Sequence, residues 1–230
     1  MSMMVQSGRF GGGAPSGPTV VYQGTNAVGD AGGTHTYTNA PIGTAAADRL
    51  VIVAIAARRN AAGVRTVTGV TIGGNAATIN VQTNVTGVSS GITVAIASLV
   101  VAAGTDATVV VTYSAGLSQS FISVYTVTGL NSTTATNSAS ATGNEAASST
   151  LDITGPGIVV ASFAGADGTL GDMTMVGVNE DYDQTSPASG TATFMRGGAG
   201  SVSGLSTQTN RTISVSSTAN IEALAATSWT

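Results

Sequence analysis

The apolar runs of this chain are short, rich in Val and Ile, and bounded by Gly, Asn, Asp, Ser or Thr. No segment keeps a helical period over three turns, so the pattern points to many short strands. Two kinds of run occur. Ala107, Val109, Val111 and Tyr113 alternate with polar neighbours, as do Ile92, Val94 and Ile96 about Thr93. A period of two belongs to a strand wetted on one face. Leu50–Ala57, Phe121–Val127 and Ile158–Phe163 are almost continuously apolar, which marks central strands covered on both faces.

The expectation is an all-β, antiparallel β-sandwich with jelly-roll-like winding. Its strands are expected near Thr19–Gly24, Thr34–Thr38, Arg49–Ala57, Thr66–Ile72, Ala77–Thr83, Ile92–Val101, Ala107–Tyr113 and Ser120–Thr128. Further strands are expected near Ser138–Gly143, Ser149–Ile153, Gly157–Ala164, Met173–Asp181, Thr191–Arg196, Arg211–Ser216 and Ile221–Trp229. Gly73-Gly74-Asn75, between two such runs, is a hairpin signal.

Residues 1–18 differ from the rest. Gly11-Gly12-Gly13 and Pro15-Ser16-Gly17-Pro18 break regular structure, and the segment reads as a flexible Gly-rich arm. It is either a disordered tail or an arm that orders on a partner, with Met3, Val5 and Phe10 as apolar anchors. Residues 19–230 read as one β-sandwich domain. An internal echo divides it at about residue 130: Thr34–Thr38, Leu50–Ala57 and Val67–Ile72 form one series, and Leu151–Thr154, Ile158–Gly165 and Met173–Val178 another. The two would be pseudo-repeated halves, about 19–130 and 131–230.

Composition narrows the function classes. Charged residues make up 8% of the chain, against about 25% in ordinary domains. There is no lysine, and the net charge is −4. Nucleic-acid backbones demand clustered Lys and Arg. The one cluster, Arg58, Arg59 and Arg65, suits a solvated strand end or a local ion-pair partner. No nucleic-acid partner is expected, and no membrane insertion, because no apolar run is long enough to span a bilayer. The absence of cysteine removes disulfides and thiolate chemistry. Met1–Phe10 lacks the pattern of a secretory signal.

Few constellations could carry chemistry. The one histidine, His35, is expected exposed at a strand end, and no nucleophile elbow accompanies it. Asp167, Asp172, Glu180, Asp181 and Asp183 form the densest acidic cluster. If Met173–Val178 is one strand, its two acidic groups lie at opposite strand ends. Glu180, Asp181 and Asp183 alone would suit a structural Ca²⁺, or are plain loop charges. No other cofactor is expected. Tyr182 is the best candidate for an exposed aromatic platform on a glycan. Trp229 ends an apolar strand and is expected in the core or at its rim.

Four stretches resemble a known group: "TYTNAPIGTAAADRLVIVAIAARR" (Thr36–Arg59), "RTVTGVTIGGNAATI" (Arg65–Ile79), "SFISVYTVTGL" (Ser120–Leu130) and "ALAATSW" (Ala223–Trp229). From about residue 19 the chain resembles small β-sandwich virion proteins of tailed bacteriophages and prophages. The resemblance implies a non-enzymatic structural virion protein, made in the host cytoplasm. A capsid decoration or cement protein anchored by its arm is the first expectation. Its partners would be the major capsid protein or other virion proteins, and a homo-oligomer, with a trimer suited to a capsid three-fold. The alternative is a tail-fibre or adhesin module that binds host-surface glycans through its loops.

Overall fold

The computed structural model describes residues 17–29, 32–185 and 195–230. Met3, Val5, Phe10 and the start of the strand expected at Thr191–Arg196 lie outside them. The described residues form strands and no helix. In chain order these are β1 (Thr19–Val28), β2 (Thr34–Pro41), β3 (Leu50–Arg59), β4 (Val67–Ile72), β5 (Asn75–Ala76), β6 (Thr78–Thr86), β7 (Gly91–Val100), β8 (Asp106–Tyr113) and β9 (Gln119–Thr128). There follow β10 (Asn137–Gly143), β11 (Ala146–Ile153), β12 (Gly157–Gly168), β13 (Thr174–Val176), β14 (Asn179–Thr185), β15 (Met195–Leu205), β16 (Gln208–Ser216) and β17 (Ala219–Trp229).

Four antiparallel sheets result, with orders β1-β9-β3-β7-β6, β2-β8-β4-β5, β10-β17-β12-β15-β14 and β11-β16-β13. The two five-stranded sheets lie at the centre, face to face. Each carries its own smaller sheet on its outer side. The strand orders of the two halves correspond one to one: β1 with β10, β9 with β17, β3 with β12, β7 with β15 and β6 with β14. In the small sheets β2, β8 and β4 correspond to β11, β16 and β13. The two series of the internal echo fall on corresponding strands.

This layering explains the continuous apolar runs. In β3, Leu50, Ile52, Ala54 and Ala56 point to the other central sheet, and Val51, Val53, Ile55 and Ala57 to the first half's small sheet. In β12, Ile158, Val160, Ala164 and Ala166 face the first half, while Val159, Ala161 and Phe163 face the second small sheet. A strand with no wet side needs no polar alternation. Each fully buried Val, Leu or Ile contributes about 1.5–3 kcal/mol. Trp229 is fully buried in the core between the two central sheets.

The turn at Gly73-Gly74 joins β4 to β5 with φ of +59° and +81°. Two successive positive φ values are what a tight hairpin with native twist requires. The chain then crosses to the central sheet, where β6 pairs with β7.

Three expectations are corrected. Met173–Asp181 is not one strand. Gly177, at φ +88°, splits it into β13 of a small sheet and β14 of a central sheet. The second is the strand expected at Thr191–Arg196: among the described residues it runs over Met195–Leu205, so the glycine-rich stretch Gly197-Gly198-Ala199-Gly200 lies inside β15, a strand between β12 and β14. A Cβ on Gly197 would stand 2.8 Å from Phe121, and one on Gly200 2.5 Å from the Asn179 carbonyl oxygen. Those glycines let neighbouring chain close in. His35 is the third: it is buried rather than exposed, because it shares the inward face of β2 with Tyr37. Its Nε2 lies 3.0 Å from the Gly32 carbonyl oxygen, and its ring stands edge-on to Tyr113 at 5.5 Å.

The outer faces of the small sheets are rich in hydroxyls, with one exposed acid on each, Asp106 on β8 and Asp152 on β11. Thr34 lies opposite Thr112, and Thr36 and Thr71 flank Val110. On the far side Ser148 pairs with Ser214 and Thr150 with Thr212.

Candidate functional site

Two of the acidic residues singled out in the sequence, Asp172 and Asp183, come together around one cation, Arg196 on β15. Its Nε and Nη2 donate to the two carboxylate oxygens of Asp183, and Nη2 also reaches Asp172 at 2.6 Å. The Asp183 carboxylate further accepts the Met173 backbone N–H at 2.8 Å. Asp172 and Asp183 are thus brought together, against the expectation that they lie at opposite strand ends. The break at Gly177 turns the chain back and makes this meeting possible. A forked guanidinium–carboxylate pair is strong and directional. Here it closes one end of the second sandwich.

The three residues expected to suit Ca²⁺ do not gather as a set. Glu180 is exposed, and Asp181 accepts the Ser201 hydroxyl at 2.6 Å. Asp183 is held by Arg196. A bulge between Glu180 and Tyr182 shifts the register here. Asp181 and Tyr182 therefore lean towards the first half and Asp183 towards the small sheet. Burial holds the Asp181 carboxyl above the ordinary carboxylate range. No group of three or more His, Asp or Glu able to hold a metal occurs among the described residues.

Tyr182 is not the exposed platform expected of it. It is half-buried against Phe121, ring centres 5.8 Å apart, and burial pushes its phenol up to about 12. The re-aiming by the bulge is the physical reason.

Asp167, grouped by the sequence with the same acidic cluster, belongs instead to a second constellation at the seam between the halves, and its serine partners had no sequence signal. Asp167, next to last in β12, lies in the left-handed region, φ +57°. It accepts the Ser89 backbone N–H at 3.1 Å and the Ser89 and Ser90 hydroxyls at 2.6 Å each. These serines belong to the turn between β6 and β7 of the other half. Burial opposes ionisation of Asp167, but these bonds and the Arg58 charge outweigh it and hold its carboxyl below the usual range. Arg58 itself is fully buried, not a solvated strand end. It donates to the Asn60 side chain at 3.0 Å. The continuation of β3 under the seam carries it inward.

Arg49 is the third buried ionic group. It donates to five backbone carbonyls, those of Ile42, Gly43, Val101, Ala103 and Gly104, at 2.7–3.0 Å. Its guanidinium is the hub that ties two loops to the start of β3. An Arg preceding a buried strand was visible in the sequence, but its acceptors are carbonyls of distant loops.

Open grooves of about 310, 360 and 380 Å³ lie beside Leu50 and Thr134, beside Asp167 and Asn220, and beside Gln23 and Thr126. None of these three carries an aromatic ring or a facing pair of carboxylates. The buried ionisable groups hold strands, loops and halves together. No protein-family model matches the chain, and no curated protein sequence is similar to it.

Proposed function

We propose that this chain is a non-enzymatic structural virion protein of a tailed bacteriophage, a capsid decoration or cement protein. The carrying observation is where the charge goes. Arg49, Arg58, Asp167, Asp183 and Arg196 are spent on fastening the fold, while the outer sheets present threonine and serine. Such a body is rigid, sparsely charged and able to repeat on a lattice. The resemblance of its strand motifs to small virion sandwiches supplies the setting. The one-to-one strand correspondence supports a duplicated, jelly-roll-like sandwich, a second element of the same reading.

The test is quantitative mass spectrometry of purified particles. Copies on the order of hundreds per particle, in proportion to the major capsid protein, are the expected result. A handful of copies would move the chain to the tail and favour the glycan-binding alternative. Absence from particles would overturn the virion reading.

A further inference from the structure

Glu222 is the one acidic residue of the central strand β17, and it is 0% exposed. Its neighbours Ile221 and Ala223 face the first half, and Leu224 and Ala226 face the second small sheet, so Glu222 points into the second sandwich. It lies in the row Gly143–Glu222–Gly165–Arg196 across the sheet. The flanking glycines leave room for its carboxyl: a Cβ on Gly165 would stand 3.1 Å from both carboxylate oxygens. The Ser217 hydroxyl, in the turn before β17, donates to Oε1. Oε2 is buried with no hydrogen-bond partner among the described residues.

The charged groups around it do not compensate an ionised carboxyl. β10 and β12 bring glycines. β15 brings Arg196, already committed to Asp183 and Asp172. β14 brings Asp183, a like charge that opposes ionisation. The turn between β10 and β11 brings Glu145, tied by its backbone to Ala219 and Ser217. The inward residues of the facing small sheet include Ala147 and Val215, both apolar.

We propose that Glu222 is a proton-operated latch: protonated, it seals the turn at 216–219 onto the end of the second sandwich, and ionised, it loosens that end. An isolated buried carboxylate is far costlier than its neutral form, which can donate as well as accept. Burial accordingly pushes the Glu222 carboxyl up to about 7, from an ordinary 4.5. The sign follows. A raised acid contributes stability that is fully present below about pH 4.5 and is lost as pH rises through about 7. The latch therefore opens on the alkaline side.

The experiment compares the full chain with Glu222→Gln, which keeps the shape and cannot ionise. Hydrogen exchange of 169–176 and 216–219 is followed from pH 5 to pH 8, corrected for intrinsic rates. The wild type is expected to lose protection by about tenfold per pH unit from pH 5 to near 7 and to level off above it, and the variant to stay level. Parallel profiles in both proteins would overturn the proposal. Should the variant not fold, infrared spectroscopy of the wild type decides. One protonated carboxyl band at pH 6 that fades by pH 8 supports the latch, and its absence at pH 6 sinks it.

Discussion

The Ser162 hydroxyl donates a buried 2.8 Å hydrogen bond to the Ile55 carbonyl oxygen, across the gap between the two central sheets. It joins β12 of one half to β3 of the other inside an otherwise apolar core. Ser162→Ala is expected to cost about 1 kcal/mol, the net worth of one such bond. Ser162→Val should cost more, about 1–3 kcal/mol, because extra methyl groups force the sheets apart. Urea unfolding of the two variants measures the difference. Equal midpoints for both and the wild type would mean that the bond carries nothing.

Arg49 should not be replaceable by lysine. Lysine keeps the charge but has three donors on a flexible stem, where the site presents five carbonyls in a fixed fan. Stranding several buried acceptors is expected to cost about 3 kcal/mol or more. Thermal unfolding of Arg49→Lys would show it as a drop of several degrees. An unchanged midpoint would discard the idea of a guanidinium hub.

Asp167 and the Ser89–Ser90 turn give the halves an acid-sensitive seam. Its carboxyl is held below the ordinary range, so its contribution is present above about pH 4 and fades as pH falls through the depressed value. Asp167→Asn is expected to lower stability at neutral pH by about 1–3 kcal/mol, because its hydrogen bonds from Ser89 and Ser90 lose their charged acceptor. It should also flatten the acid limb of the stability profile. An acid limb identical to that of the wild type would assign the acid loss elsewhere.

Glycines divide into those that packing demands and those it does not. At Gly200 a methyl group would meet the Asn179 backbone oxygen at 2.5 Å, whereas at Gly69 it meets nothing within 4 Å. Gly200→Ala is expected to cost about 1–3 kcal/mol. Gly69→Ala should be neutral, or stabilising by up to about 1 kcal/mol. Unfolding free energies of the pair check the contrast, and similar values for both would refute it.

These residues also show what a sequence can reveal. The doubly apolar runs at β3, β9 and β12 announce central strands because burial on both faces leaves its mark residue by residue. β15 leaves none: its glycines answer to Phe121, Met175 and Asn179, which are remote in sequence. β14 reads as an acidic loop because its carboxylates are satisfied by Arg196 and Ser201 on the neighbouring strand. The inward turn of His35 was legible, since Thr34-His35-Thr36-Tyr37 puts it in phase with a buried tyrosine. The bulge that takes Tyr182 off the surface was not, because a register shift depends on the pairing partner.

The inner strands of the central sheets have no wet side, and so take no part in how the protein meets the outside world. Among the described residues, a copy neighbouring this one, a shell beneath it or a cell ahead of it would touch only the small sheets, the sheet rims and the loops. On the two broad faces that contact would be made mainly by short hydroxyls, which carry no charge at any pH, with Asp106 and Asp152 near the strand ends. Recognition there would rest on shape and on hydrogen bonds shared with water, and changes of salt would act on it chiefly through those two carboxylates.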